Sequence, residues 1–226
     1  MLITTQGIVF RTVKYRETSI ITAIYTRQLG LTDFIANNVR SSKNKFNIGY
    51  FEPLSLLELT AYYQPGRQIN RLTELKALRP LHHTRQDIFK STMVLFLAEI
   101  LNKCIVEHDK NPALFDFISS AIGTLENTPG NNNFHLQFLL KLTHYLGFGL
   151  PDTDSFINQA VNPAFYREAA ISRLLQQLWQ ADFTHSPSLN TAQRQVILQD
   201  ILHYYRHHIE LPRLRSLDVL QAVFNA

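Results

Sequence analysis

The chain is poor in residues that cross-link, anchor or export a protein. It carries one cysteine, Cys104, which excludes an internal disulfide and any four-thiolate zinc cluster and fits a reducing cytosol. Its first residues, Met1-Leu2-Ile3-Thr4-Thr5-Gln6-Gly7, lack the cationic stretch and following apolar core of a secretory signal. No apolar run reaches the roughly 18 residues that a bilayer requires, so a cytoplasmic protein without a membrane partner is expected. Charged residues make up only 18% of the chain, too few for disorder, and 45% hydrophobic residues are enough for a core. With 226 residues, the chain has room for one large domain or two modest ones.

Catalytic motifs are equally scarce. No Gly-x-x-x-x-Gly-Lys-Ser/Thr loop is present to cradle a nucleotide, and there is no His-Glu-x-x-His and no Gly-x-Ser-x-Gly. Gly147-Phe148-Gly149 lacks a third glycine and follows a helix-like run, which is wrong for a dinucleotide turn. Cys104 falls on an apolar helical stripe, where cysteine behaves as a small hydrophobe. His203, His207 and His208, with Glu210 nearby, are the best metal candidates. His203 and His207 would share a helical face, but no third ligand is dependable, and a solvated or packed face is the expectation. His82-His83 reads as surface. Neither a catalytic residue nor a cofactor or metal site emerges, and the expected protein is not an enzyme.

What is present is charge of one sign in one place. Residues 1–80 hold 11 Lys and Arg against 5 Asp and Glu, whereas residues 81–226 hold 11 against 13. The excess of positive charge therefore lies in the first third of the chain and points to a polyanion partner there. The cations cluster: Lys14 with Arg16, then Arg40, Lys43 and Lys45, then Arg67 and Arg71 around a turn.

The same third reads as five short strands. Residues 8–13 and 19–25 are rich in β-branched and aromatic side chains. The run 31–36 alternates, with Leu31 and Ile35 on one side and Phe34 and Ala36 on the other. Residues 54–63 end at Gln64-Pro65-Gly66, a tight-turn sequence, and 69–78 close at Pro80. Five strands in this length suit a small barrel, either an OB-fold or an SH3-like barrel. In an OB-fold the loops after strands 1 and 4 flank the oligonucleotide face; here they carry Lys14, Arg16 and Arg67. The loop from Arg40 to Phe46 offers three cations to phosphates. Phe46 is left with two roles, stacking on a base or packing on the barrel.

After Pro80 the period changes to about 3.6. Phe89, Met93, Phe96, Leu97, Ile100 and Cys104 form one stripe, with Trp179 among further core leucines. Asn111-Pro112 and Asn162-Pro163 read as helix starts, Asn190 with Gln193 as a capping box, and Ser216 as the cap of a last short helix. The expectation is an α+β chain: an N-terminal five-stranded OB-fold β-barrel over residues 1–80, and an α-helical bundle of about six helices over residues 81–226.

Several stretches resemble the RecO family of bacterial recombination mediators. Gly7-Ile8-Val9-Phe10-Arg11-Thr12-Val13-Lys14-Tyr15-Arg16-Glu17-Thr18-Ser19 is similar to that family's opening, and Leu29-Gly30-Leu31 and Phe51-Glu52-Pro53-Leu54-Ser55-Leu56-Leu57-Glu58-Leu59 continue the likeness. Leu136 to Phe148 and Leu214-Arg215-Ser216-Leu217 resemble its helical segments. The resemblance implies an OB-fold and a helical domain, binding of single- and double-stranded DNA, and strand annealing. It also implies action with RecR to load RecA on SSB-coated single strands, and binding of the acidic, apolar SSB C-terminal tail. Many relatives carry a four-cysteine zinc module after the segment matching Leu146-Gly147-Phe148. Pro151 to Asn162 contains no cysteine, so a plain connector without zinc is expected there. Lys14, Arg16, Arg40, Lys43, Lys45 and Arg67 are the expected DNA-binding residues, with Arg11 and Arg27 secondary. The alternatives are a protein-interaction scaffold and a single-stranded RNA binder.

Overall fold

β1 (Leu2–Tyr15) organises the amino-terminal half of the computed structural model, which describes residues 1–41, 46–105 and 110–224. The strand is long enough to serve two neighbours. Leu2 to Ile8 pair antiparallel with β4 (Leu56–Tyr62), and Gly7 to Tyr15 pair with β2 (Ser19–Thr26). β2 pairs with β3 (Gly30–Ala36), β3 runs parallel to β5 (Ile69–Arg79), and β5 returns antiparallel to β4. The closed order β1-β2-β3-β5-β4, with its one parallel pair, is the OB arrangement and decides against the SH3-like alternative.

Two features of β1 let it turn from one neighbour to the other. At Gly7 a Cβ would lie 2.5 Å from Ile24 Cγ2 and 2.9 Å from Leu59 Cδ2, so only glycine allows the strands to approach this closely. Between Val9 and Arg11 the register slips by one residue. Such a bulge puts two successive side chains on the same side. Val9 points into the barrel with Ile20, Ile24, Phe34, Leu57 and Leu59, whereas Phe10 turns outward into the second core. There Phe10 stacks on Tyr25 with ring centroids 5.5 Å apart, and Tyr25 meets Phe115 of the helical half.

The helical half contains eight α-helices among the described residues: α1 (His82–Gln86), α2 (Ile88–Cys104), α3 (Pro112–Asn127), α4 (Phe134–Tyr145), α5 (Thr153–Asn158), α6 (Ala169–Gln180), α7 (Thr191–His208) and α8 (Arg215–Phe224). α1 and α5 are too short to show a 3.6-residue period in sequence, which accounts for two more helices than the pattern implies. The Asn111 side chain caps α3 through Leu114 N–H at 3.0 Å, and Asn190 and Gln193 form the capping box of α7. Asn162-Pro163 opens only a 3₁₀ turn (Pro163–Arg167), because the Asn162 side chain makes no capping bond and the helix waits until Ala169. Ser216 does not cap α8. Its N–H, at 2.8 Å, and its hydroxyl instead donate to Glu99 of α2, which also accepts from Arg215 N–H. Burial opposes ionisation of Glu99, but these bonds and Lys103 outweigh it and hold its carboxyl down at about 2.

The stretch 151–162 is more than a plain connector. It folds into α5, and the fully buried Asp200 on α7 fastens the chain beyond that helix by accepting from Val161 N–H at 2.9 Å and Tyr166 O–H at 2.8 Å.

One apolar core joins Ile8, Phe10, Tyr25, Leu54 and Leu56 of the barrel to helical residues such as Phe96, Leu97, Phe115 and Ile118. Within it, His135 lies edge-on to Phe96 and Phe224, and its Nδ1 has no hydrogen-bond partner among the described residues.

Two measurements check these constraints. Gly7→Ala forces a methyl into packed side chains and is expected to destabilise the chain by about 1–3 kcal/mol in urea unfolding at unchanged m-value. Burial, aided by the charge of Arg194, depresses the His135 imidazole to about 3. An unfolded histidine titrates near 6.5, so the unfolded state binds more protons below that pH. The stability carried by neutral His135 is therefore complete above pH 6.5 and drains as the pH falls toward 3, at about 1.4 kcal/mol per unit. Tm should fall between pH 7 and 5, and His135→Leu should flatten that slope.

Candidate nucleic-acid interface

The β1–β2 hairpin is the first part of the site. Lys14 lies near the end of β1, and Arg16 lies in the turn with a left-handed φ of 52°. The Arg16 guanidinium sits 5.2 Å from the centroid of the Tyr15 ring. The chain leaving β3 folds back on this hairpin. Arg40 N–H donates to Thr18 C=O at 3.0 Å, Thr18 Oγ1 donates to Asn38 at 3.3 Å, and Ser19 Oγ donates to Asn37 at 3.1 Å. The stretch that carries Arg40 is thus tied by its backbone to the hairpin that carries Lys14 and Arg16; Lys14, opposite Ile20, stands on the inner side of the alternation at the barrel's rim.

Arg67 lies in the β4–β5 loop, in the turn closed by its own N–H on Gln64 C=O with Gly66 at φ 77°. That loop enters β5 at Ile69, opposite Asp33, which places it at the other end of the β2–β3 face from the hairpin. Asp33 and Ala36, which faces Ile20 at the hairpin end, are three strand residues or about 10 Å apart. The face between them is the outer side of the alternation. Ile20, Thr22, Ile24, Phe34 and Ala36 are buried within the barrel, leaving Ile21 and Ile35 half-buried on the outside.

Lys43 and Lys45 lie outside the described residues. Phe46 is 5% exposed and meets Phe51 edge to face at 6.1 Å inside the barrel cluster. Of its two roles it takes packing, and its ring is not presented to a base. Arg27 is held by Asp116 of α3 and fastens the barrel to the helices. Arg11, the second outward residue of the bulge, turns to a cleft beside Lys103, Arg213 and Arg215. In sequence, Arg71 reads only as part of a turn. In the structure it stands exposed beside Ile35, across a parallel pairing that no local pattern reveals.

The remaining chemistry stays dispersed. His203 and His207 bring their Nε2 atoms to 2.9 Å on α7, but His208 turns away and stacks on Phe148 at 5.1 Å. Among the described residues, no three His, Cys, Asp or Glu side chains gather as a metal set. Burial pushes the Cys104 thiol up to about 12, far from a nucleophile's range.

Residues 1–81 match the family model Recombination protein O N terminal, and residues 85–218 match Recombination protein O C terminal. The chain belongs to the RecO family. It is 34% identical to DNA repair protein RecO of Flavobacterium psychrophilum and 33% identical to that of Flavobacterium johnsoniae, each alignment covering the whole of both chains. A relative from Bacteroides fragilis is 32% identical, again over both full lengths. Membership places the chain among DNA repair proteins, with an OB-fold-like barrel and a helical domain in the order of the RecO halves. A four-cysteine zinc module has no donors here, since Cys104 stands alone on α2. Among the described residues no helix is long and apolar enough to cross a membrane.

The left-handed Arg16 separates charge from folding. Glycine accepts that φ without cost, so Arg16→Gly should leave the thermal midpoint unchanged or slightly higher, as a melting curve would show.

Proposed function

We propose that this protein is a non-enzymatic recombination mediator of the cytosol, which binds and anneals DNA strands and helps load RecA on SSB-coated single strands. The observation that supports the reading is the Arg40 N–H to Thr18 C=O bond, which ties the stretch bearing Arg40 to the hairpin bearing Lys14 and Arg16, while Arg67 lies in the loop toward the other end of β3. Cations at both ends suit a strand laid across the face. Neutralising its phosphates releases counterions and gives an affinity that falls with salt and ignores sequence. Two strands screened in this way, with their base edges free, are able to pair. Lys43 and Lys45, close to Arg40 in sequence, would add to the charge offered to the phosphates. RecR and the SSB C-terminal tail are the protein partners, and RecA is reached indirectly.

Oligonucleotide binding over a salt series tests this. The logarithm of affinity should fall linearly with the logarithm of salt. Combining Arg16→Gly with Lys14→Ala and Arg40→Ala should flatten that slope by about 2, at about 0.7 per single-strand phosphate contact. A salt-independent affinity, or an unchanged slope in the triple variant, contradicts the reading. Strand annealing should persist on SSB-coated strands; activity on bare strands alone indicates a simple binder.

A further inference from the structure

α8 is a helix of ten residues that buries Leu220 and leaves Leu217 and Phe224 half-covered. A helix this short is marginal in water by itself, so its place on the molecule is set by what holds each end. At its start, Glu99 of α2 accepts from Arg215 N–H at 3.1 Å and from Ser216 N–H at 2.8 Å, with Lys103 beside the same carboxylate at 2.9 Å. At its end, the Phe224 ring meets Phe89 of α2 edge to face at 5.2 Å, His135 of α4 at 5.3 Å and the Arg194 guanidinium of α7 at 5.6 Å. Under this end lies a cavity of about 20 Å³, walled by His135, Arg194, Leu198, Leu220 and Phe224. His135 is 1% exposed there, and its Nδ1 finds no hydrogen-bond partner among the described residues. A buried polar atom without a partner works against the docked helix, because water satisfies it as soon as the helix lifts.

The surroundings of His135 make its protonation oppose docking. Arg194 is the charged group that faces it, from α7; α2 presents Phe96, and α8 presents Phe224 with Leu220 and the uncharged Gln221 around the cavity. No carboxylate is among these neighbours. We infer that α8 is an acid-released latch: protonation of His135 lifts the helix from the groove between α2, α4 and α7 while the rest of the fold stays closed. This assigns the first response to acid to one helix, as a local opening. The docked ring resists protonation down to about 3, whereas a ring reached by water titrates near 6.5. Docking is therefore at full strength above pH 6.5 and weakens about tenfold per unit as the pH falls toward 3. Glu99, with Lys103, Arg213 and Arg215 lining the cleft around it, acts with the same sign in a lower window. Its carboxyl is held at about 2 against an ordinary 4.5, so that clamp is whole above pH 4.5 and fails toward 2. Of the two clamps, only His135 responds between pH 6.5 and 4.5.

Hydrogen exchange of the full chain tests this, read as protection factors corrected for the intrinsic rate at pH 7.5, 5.5 and 4.5. Amides of residues 215–224 should be less protected than those of residues 96–101 at every pH, because the latch opens without the core. Relative to pH 7.5, protection of 215–224 should fall about tenfold by pH 5.5 and about a hundredfold by pH 4.5. His135→Leu and His135→Gln cannot take up the proton, and each should remove this fall; either one suffices where the other does not fold. Phe224→Ala, which takes away the cover and keeps the titrating ring, should lower protection of α8 about tenfold at pH 7.5. Protection of 215–224 equal to that of 96–101 overturns the latch and leaves global unfolding as the one opening. Protection of α8 that ignores pH in the unaltered chain, or falls equally in the folded His135 variants, removes His135 as the trigger. Unchanged protection in Phe224→Ala removes the clamp at the end of the helix.

Discussion

The closure of the barrel through β1 is the constraint on which the rest depends. One strand must pair with β4 over its first half and β2 over its second, and a regular strand cannot do this around so small a circumference. Gly7 removes the side chain where the two neighbours crowd together, and the bulge at Val9/Arg11 bends the strand. The same bulge sends Phe10 into the core shared with the helices and turns Arg11 toward the cleft at their edge. Loop residues lock it: Leu54 N–H donates to Val9 C=O at 2.7 Å, and Val9 N–H donates to Ser55 C=O at 3.1 Å. Barrel closure, attachment of the helical half and the direction of the outer face therefore follow from one local irregularity.

Cations of the chain fall into two groups by what surrounds them. Arg27 with Asp116, Arg85 with Glu52, and Lys103 with Glu99 are engaged in pairs that tie one element to another or brace a helix. Lys14, Arg16, Arg40, Arg67 and Arg71 form no ion pair among the described residues. Exposed pairs contribute little stability individually, so the division matters more for function than for folding. Unpaired cations on a face keep their capacity for an anionic partner, and their mutual repulsion is relieved when one arrives.

Carboxylates set into the helical half hold it together by receiving backbone N–H groups. Glu126 of α3 accepts from His83 N–H and Thr84 N–H, both at 2.8 Å, and so fixes the start of α1 where the chain leaves β5. Glu99 does the same for α8, and Asp200 for the segment after α5. Each carboxylate comes from a helix remote in sequence from the backbone it satisfies, so a helix start with no cap of its own is completed by tertiary contact.

The alternation of the five strands, the change of period after Pro80, the caps at Asn111 and Asn190, and the gathering of positive charge into the first third were all legible in the sequence, because period, capping and net charge are local or additive properties. The OB topology and the place of Arg71 beside Ile35 were not legible, since both depend on β3 lying parallel to β5 and on register between strands far apart in the chain. Phe46 and Ser216 show the same limit on single residues: composition allows stacking or packing, capping or being capped, and only the neighbours supplied by folding choose between them. Sequence alone determined which residues carry charge and which seek burial. Tertiary structure decided which of those charges remain unpaired and which apolar side chains stay outside, because pairing and exposure are properties of neighbours rather than of residues.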